Sequence, residues 1–219
     1  MEHEEDDLPL VKICGLTDHD AVAAAVQNGA SHLGFVFFAK SPRNVTPGQA
    51  ADLIDGVPDE VTIVGLFVDP TDDDINTVMQ QVRLGLLQLH GSETPERVEA
   101  LRQEFGLPVM KAIGVSSPED LTAAEPYVGV ADMLLFDAKP PKDADRPGGN
   151  AASFDWSIMK AWTDRTTPWL LAGGLTPDTV AEALEVSGAD GVDVSSGVES
   201  APGEKDPELI EAFLIACGL

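Results

Sequence analysis

Positive charge is scarce in this chain. Thirteen Lys and Arg stand against 38 Asp and Glu in 219 residues, a formal net charge of −25. Nucleic acid and anionic membranes are bound through basic footprints, so neither is an expected partner. Aromatics make up only 5% of the residues, which leaves a core to be built from Ala, Val, Leu and Ile. The two cysteines, Cys14 and Cys217, are too few for a disulfide framework and fit no C-x-x-C metal spacing. Neither an H-E-x-x-H motif nor a carboxylate cluster argues for a metal. No run of 18 apolar residues is present to span a bilayer. The opening MEHEEDDLP is acidic, where a secretory leader is basic and then apolar. A cytoplasmic protein is the expectation.

The acids are spread along the chain, with local runs only in the first seven residues and in DPTDDD (69–74). Such a surface repels itself, and molar salt screens that repulsion to a range of about 3 Å. We therefore expect adaptation to high salt.

What is present is alternation. Short runs rich in Val, Ile, Leu and Phe fall at 10–15, 32–37, 61–68, 86–91, 109–115, 132–137, 169–174 and 191–197. Stretches of helical period separate them. Among these are 18–29 with Gly29 as C-cap, 176–188 with Thr176 as N-cap and Pro177 in the first turn, and 206–218. Eight strand–helix pairs suit either a closed (β/α)₈ barrel or a doubly wound sheet. The count of eight, the final helix and the lack of G-x-G-x-x-G after the first strand favour the barrel. One domain is expected: an acidic N-terminal extension over 1–9, then an α/β TIM barrel over 10–219. The long irregular stretch 138–153 reads as a lid or binding loop.

In a barrel the chemistry sits where strands end. LAGGL and VDVSSG end the seventh and eighth strands on Gly173, Gly174, Ser196 and Gly197. Adjacent glycine-rich ends of this kind hold a phosphate on backbone N–H groups, or simply make tight turns. Cys14 and Asp137 end the first and sixth strands, across the mouth from each other. They suit a base and an acid acting on one molecule, or a buried thiol and a loop cap. Lys12 shares a strand face with Cys14, and its charge would lower the thiol pKa. Arg43 can clamp a carboxylate or make a surface ion pair. His90 can touch substrate or sit satisfied in the core. Asp193, within the last strand, would point inward and need a partner, such as a substrate hydroxyl. Lys12, Arg43, His90 and Asp193 are thus the candidate substrate contacts.

The blocks KICGLT, GFVFFAKSPRNV, LQLHG, LLFDAK, LAGGL and VDVSSGVE, in this order, resemble those of the phosphoribosylanthranilate isomerase family and cover nearly the whole chain. The resemblance implies a barrel enzyme of tryptophan biosynthesis that performs an Amadori rearrangement without cofactor or metal, as a monomer or homodimer. It puts the general base on Cys14, the general acid on Asp137 and the anthranilate-carboxylate contact on Arg43. It puts the phosphate loops on Gly173, Gly174, Ser196 and Gly197. One departure is Asn150-Ala151, where relatives carry Thr-Gly. Two other readings are a histidine-pathway phosphosugar isomerase, which would carry an aspartate after the first strand, and a non-catalytic barrel, which would lack the acid–base pair.

Overall fold

The computed structural model describes residues 8–139, 148, 153–164 and 166–219. Residues 1–7 of the expected acidic extension, and most of the 138–153 loop, lie outside the described residues.

All eight expected strands form: β1 (Leu10–Cys14), β2 (His32–Val36), β3 (Thr62–Phe67), β4 (Leu86–Leu89), β5 (Val109–Val115), β6 (Met133–Ala138), β7 (Trp169–Leu171) and β8 (Gly191–Val194). Each pairs in parallel with its neighbours in order, and β8 returns to β1, so the barrel closes. Closure makes every strand two-faced. Val64, Leu86, Met110, Leu135 and Leu170 pack together inside the barrel. Ile13, Leu33, Ile63, Leu87 and Phe136 belong to the larger outer core beneath the helices.

Among the described residues six regular helices lie between and after the strands: α1 (His19–Gln27), α2 (Pro47–Leu53), α3 (Asp72–Met79), α4 (Pro95–Phe105), α5 (Val180–Ser187) and α6 (Pro207–Ala216). Side-chain caps start most of them. Asp18 accepts from the Ala21 N–H, and Thr46 and Thr71 close capping boxes with Gln49 and Asp74.

Three expectations need correction. The helix expected over 176–188 is regular only from Val180, with Thr179 at its N-cap. The Thr176 carbonyl takes both the Thr179 and Val180 N–H groups, so the first turn is irregular. The first helix ends at Gln27 with Asn28 as C-cap, and Gly29 follows with φ at 88°. Among the described residues the fifth and sixth strands are not followed by α-helices. Short 3₁₀ turns stand there instead, Pro118–Ala123, Glu125–Tyr127 and Trp156–Ala161. Pro126 lacks the N–H that a helix running on from Pro118 would need.

A feature not expected from the sequence is an antiparallel hairpin after β8, formed by β9 (Glu199–Ala201) and β10 (Glu204–Lys205). None of the described helices is long and apolar enough to cross a membrane.

Candidate active site

Strand alternation turns Val11 and Ile13 of β1 outward, and Lys12 and Cys14 inward. The ammonium and the thiol are both buried. Gly34, facing them from β2, is what leaves them room. A Cβ there would sit 3.0 Å from Cys14 Sγ and 3.1 Å from Lys12 Cε.

The nearest acid to Lys12 comes from the other side of the barrel seam. Lys12 Nζ donates to Asp193 Oδ1 at 2.7 Å, and β1 and β8 pair these two residues in register. Asp193 therefore points inward as expected, but its partner is Lys12. Burial works to lower the Lys12 pKa, while the charges of Asp193 and Cys14 raise it, and the net direction is up. The neighbouring imidazole of His32 is pushed down to about 4 by burial and by Lys12, so it is neutral near pH 7.

Cys14 differs from its expected state. Burial raises its pKa, Lys12 lowers it and Asp193 raises it again, with a net shift upward. Lys12 acts in the expected direction but does not overcome burial. The resting group is a neutral thiol, and the thiolate, once formed, is the stronger base.

Across the mouth, Asp137 ends the inward face of β6. The Ala138 N–H donates to its Oδ1 at 2.8 Å. Its Oδ2 lies 3.4 Å from His90 Nε2. His90 follows β4, next in phase after the fully buried Gln88, whose Nε2 is 3.4 Å from His90 Nδ1. The loop carrying His90 is braced from below. Lys111 Nζ donates to Glu93 Oε2 at 2.8 Å and to the Gly91 carbonyl at 2.7 Å. Gly148 closes over the pair, since a Cβ there would come 2.9 Å from Asp137 Oδ2.

Arg43, in the loop after β2, is buried rather than splayed on the surface. Its Nε and Nη2 donate to the two carboxylate oxygens of Glu199, at 2.6 and 2.8 Å. This bidentate fork fixes the guanidinium plane. Gly15 provides the passage. Its φ is +78°, and a Cβ would meet Arg43 Cδ at 2.5 Å. The strand therefore stops at a glycine to let the arginine cross.

A single cavity at the strand ends is lined by Cys14, Arg43, His90, Asp137 and Asp193 and by all four expected loop residues, Gly173, Gly174, Ser196 and Gly197. Gly173 and Gly174 take φ values of +91° and +68°, which favour glycine. A Cβ on Gly197 would overlap the Leu175 carbonyl, so the β7 and β8 loops touch backbone to backbone. Lys12 lies one layer beneath, behind Cys14.

Sequence reading missed Gly34, Glu199 and Lys205. Pro202-Gly203 between Glu199 and Lys205 was the available hairpin signal. Nothing in the sequence paired that hairpin with Arg43, which is 156 positions from Glu199.

Comparisons with known proteins point to one family. The family model for N-(5'phosphoribosyl)anthranilate (PRA) isomerase matches residues 11–216. An N-(5'-phosphoribosyl)anthranilate isomerase from Paramagnetospirillum magneticum is 64% identical over 208 residues, 94% of this chain and 95% of the relative. The phosphoribosyl anthranilate isomerase structure from Thermotoga maritima superposes with a TM-score of 0.86 at 37% identity, covering 96% of this chain and 100% of that one. Another isomerase structure holds reduced 1-(o-carboxyphenylamino)-1-deoxyribulose 5-phosphate, with a TM-score of 0.84 at 36% identity and coverage of 96% and 100%. The chain belongs to the N-(5′-phosphoribosyl)anthranilate isomerase family and isomerises that substrate in tryptophan biosynthesis.

Proposed function

We propose that Cys14 and Asp137 are the general base and general acid of this isomerisation. The observation that carries the reading is their placement on one cavity, from strands one and six, with the glycine loops of strands seven and eight beside them. Gly173, Gly174, Ser196 and Gly197 receive the phosphate on backbone N–H groups. Arg43 faces the anthranilate carboxylate. Lys12, His90 and Asp193 serve the same site from within the barrel wall.

Asp137, carrying a proton, donates it to the ribose ring oxygen as the C1′–O bond breaks and the nitrogen lone pair forms the Schiff base. Cys14, as thiolate, removes the proton from C2′, and the electron pair flows back to the nitrogen to give the enolamine. Tautomerisation yields the ketone. The two transfers leave Cys14 as its resting thiol and Asp137 ionised, so the return of one proton from the first to the second arms the enzyme for the next turnover. His90, beside Asp137 Oδ2, is placed to assist that return. The buried Lys12 charge favours the thiolate at the moment it is needed. The enzyme is read as cytoplasmic, a monomer or homodimer, acting on its small-molecule substrate with no cofactor.

Each acid–base group contributes roughly 10²–10⁴-fold to the rate. The test is steady-state turnover of N-(5′-phosphoribosyl)anthranilate by the parent chain, Cys14→Ala and Asp137→Asn. Each variant should lower kcat by at least about 100-fold while melting cooperatively. A variant within about threefold of the parent would remove that residue from its role.

A further inference from the structure

Behind Arg43 lies a second cation, Lys205, whose charge also reaches Cys14 as the weakest of the influences on that thiol. The side chain of Lys205 has no exposed area. Its Nζ lies 2.5 Å from Glu199 Oε1 and donates to the Ser195 carbonyl at 3.0 Å, with Ser195 Oγ at 3.4 Å. Glu199 also accepts the Gly203 N–H through Oε2 at 3.2 Å. One buried carboxylate is therefore shared between two buried cations, at the rim of the substrate cavity.

In such a place the sum of charge matters more than any single contact. Arg43 and Glu199 alone sum to zero, and a neutral pair offers an incoming carboxylate little. Lys205 brings the sum to +1. The remainder of the protein is strongly anionic, so this local surplus must draw in a substrate that carries both phosphate and carboxylate. Burial raises the Glu199 pKa, but hydrogen bonds from Arg43 and the Lys205 charge overcome it, and the net direction is down. Burial draws Lys205 below the usual ammonium range, against the pull of Glu199.

We propose that Lys205 is a determinant of substrate binding: from behind Glu199 it restores to the Arg43 side of the mouth the positive charge that Glu199 cancels. It is a positioning residue that acts through Glu199 and Arg43. The proposal rests on Arg43 facing the substrate carboxylate.

The test is calorimetry at fixed KCl with two ligands. One is reduced 1-(o-carboxyphenylamino)-1-deoxyribulose 5-phosphate, and the other is the same compound without its carboxyl group. Lys205→Met should weaken the first roughly tenfold and the second by less than about twofold. In steady-state turnover of N-(5′-phosphoribosyl)anthranilate, KM should rise by a similar factor while kcat stays within about threefold. The double variant Glu199→Gln/Lys205→Met, whose local sum is again +1, should recover most of the loss, a rescue that a structural role would not give. Equal loss on both ligands would make Lys205 a brace for the Ser195 loop and overturn the proposal, as would no loss or an unrescued double variant. Should Lys205→Met fail to melt cooperatively, Lys205→Gln keeps a donor toward Ser195 and carries the same expectation. Arg43→Met separates the two readings. If it spares the carboxylate-bearing ligand, the Arg43 assignment falls and the proposal with it. If it is selective and the Lys205 variants are not, only the proposal falls.

Discussion

At the residue scale, Lys12 is the charge buried most deeply beside the site. Its ammonium sits in the barrel interior, bonded to Asp193 and within the field of Cys14. Removing one partner of a buried ion pair costs about 3–5 kcal/mol, because the other charge stays buried alone. Lys12→Met should lose on that order in urea unfolding, and Lys12→Met/Asp193→Leu should recover part of it. The variant should also move the rising limb of the kcat/KM pH profile upward, since the charge favouring the thiolate is gone. An unmoved limb would reduce Lys12 to a packing residue. The sign of the stability term follows from the raised Lys12 pKa. Its contribution is complete below its unfolded value and is lost as pH climbs through the folded one. Strand parity alone placed Lys12 beside Cys14. It could not supply Asp193, 181 positions away, nor the depth of burial that lifts the thiol. Local spacing reveals which side chains share a face. Long-range closure decides which charges meet.

At the scale of elements, the eight strands were legible because alternating or continuous apolar runs have few other homes in an α/β chain. Their C-terminal ends were less so. The expected strands at 86–91 and 169–174 overrun the observed Leu86–Leu89 and Trp169–Leu171. The surplus residues leave the ladder to build the mouth, where side-chain and ligand geometry overrides the extended pattern. Gly15 is the sharpest case. It ends the strand where a side chain would collide with Arg43. A Gly15→Ala change combines a positive φ with that overlap, at a cost of roughly 1–3 kcal/mol. Because the overlap displaces Arg43, KM should rise more than kcat falls in steady-state turnover. A variant with lowered stability and unchanged KM would show that Arg43 does not depend on this crossing.

At the scale of the whole molecule, charge sets the conditions. The net charge of −25 opposes compaction and repels an anionic substrate, while Arg43 and Lys205 share the single carboxylate of Glu199 beside the cavity. If the charge is an adaptation to salt, the melting temperature should climb steadily from dilute buffer to molar KCl, where screening acts over about 3 Å. KM should fall over the same range. A melting temperature and KM that ignore KCl would remove the salt argument and leave the fold and site untouched. The proposed mechanism requires Cys14 and Asp137 to work together at the barrel mouth. Its most direct test is growth without tryptophan of a strain that lacks this isomerase. The wild-type chain should restore growth and Cys14→Ala and Asp137→Asn should not, although both accumulate as folded protein. A silent wild type at adequate salt, or rescue by both variants equal to the wild type, would contradict it.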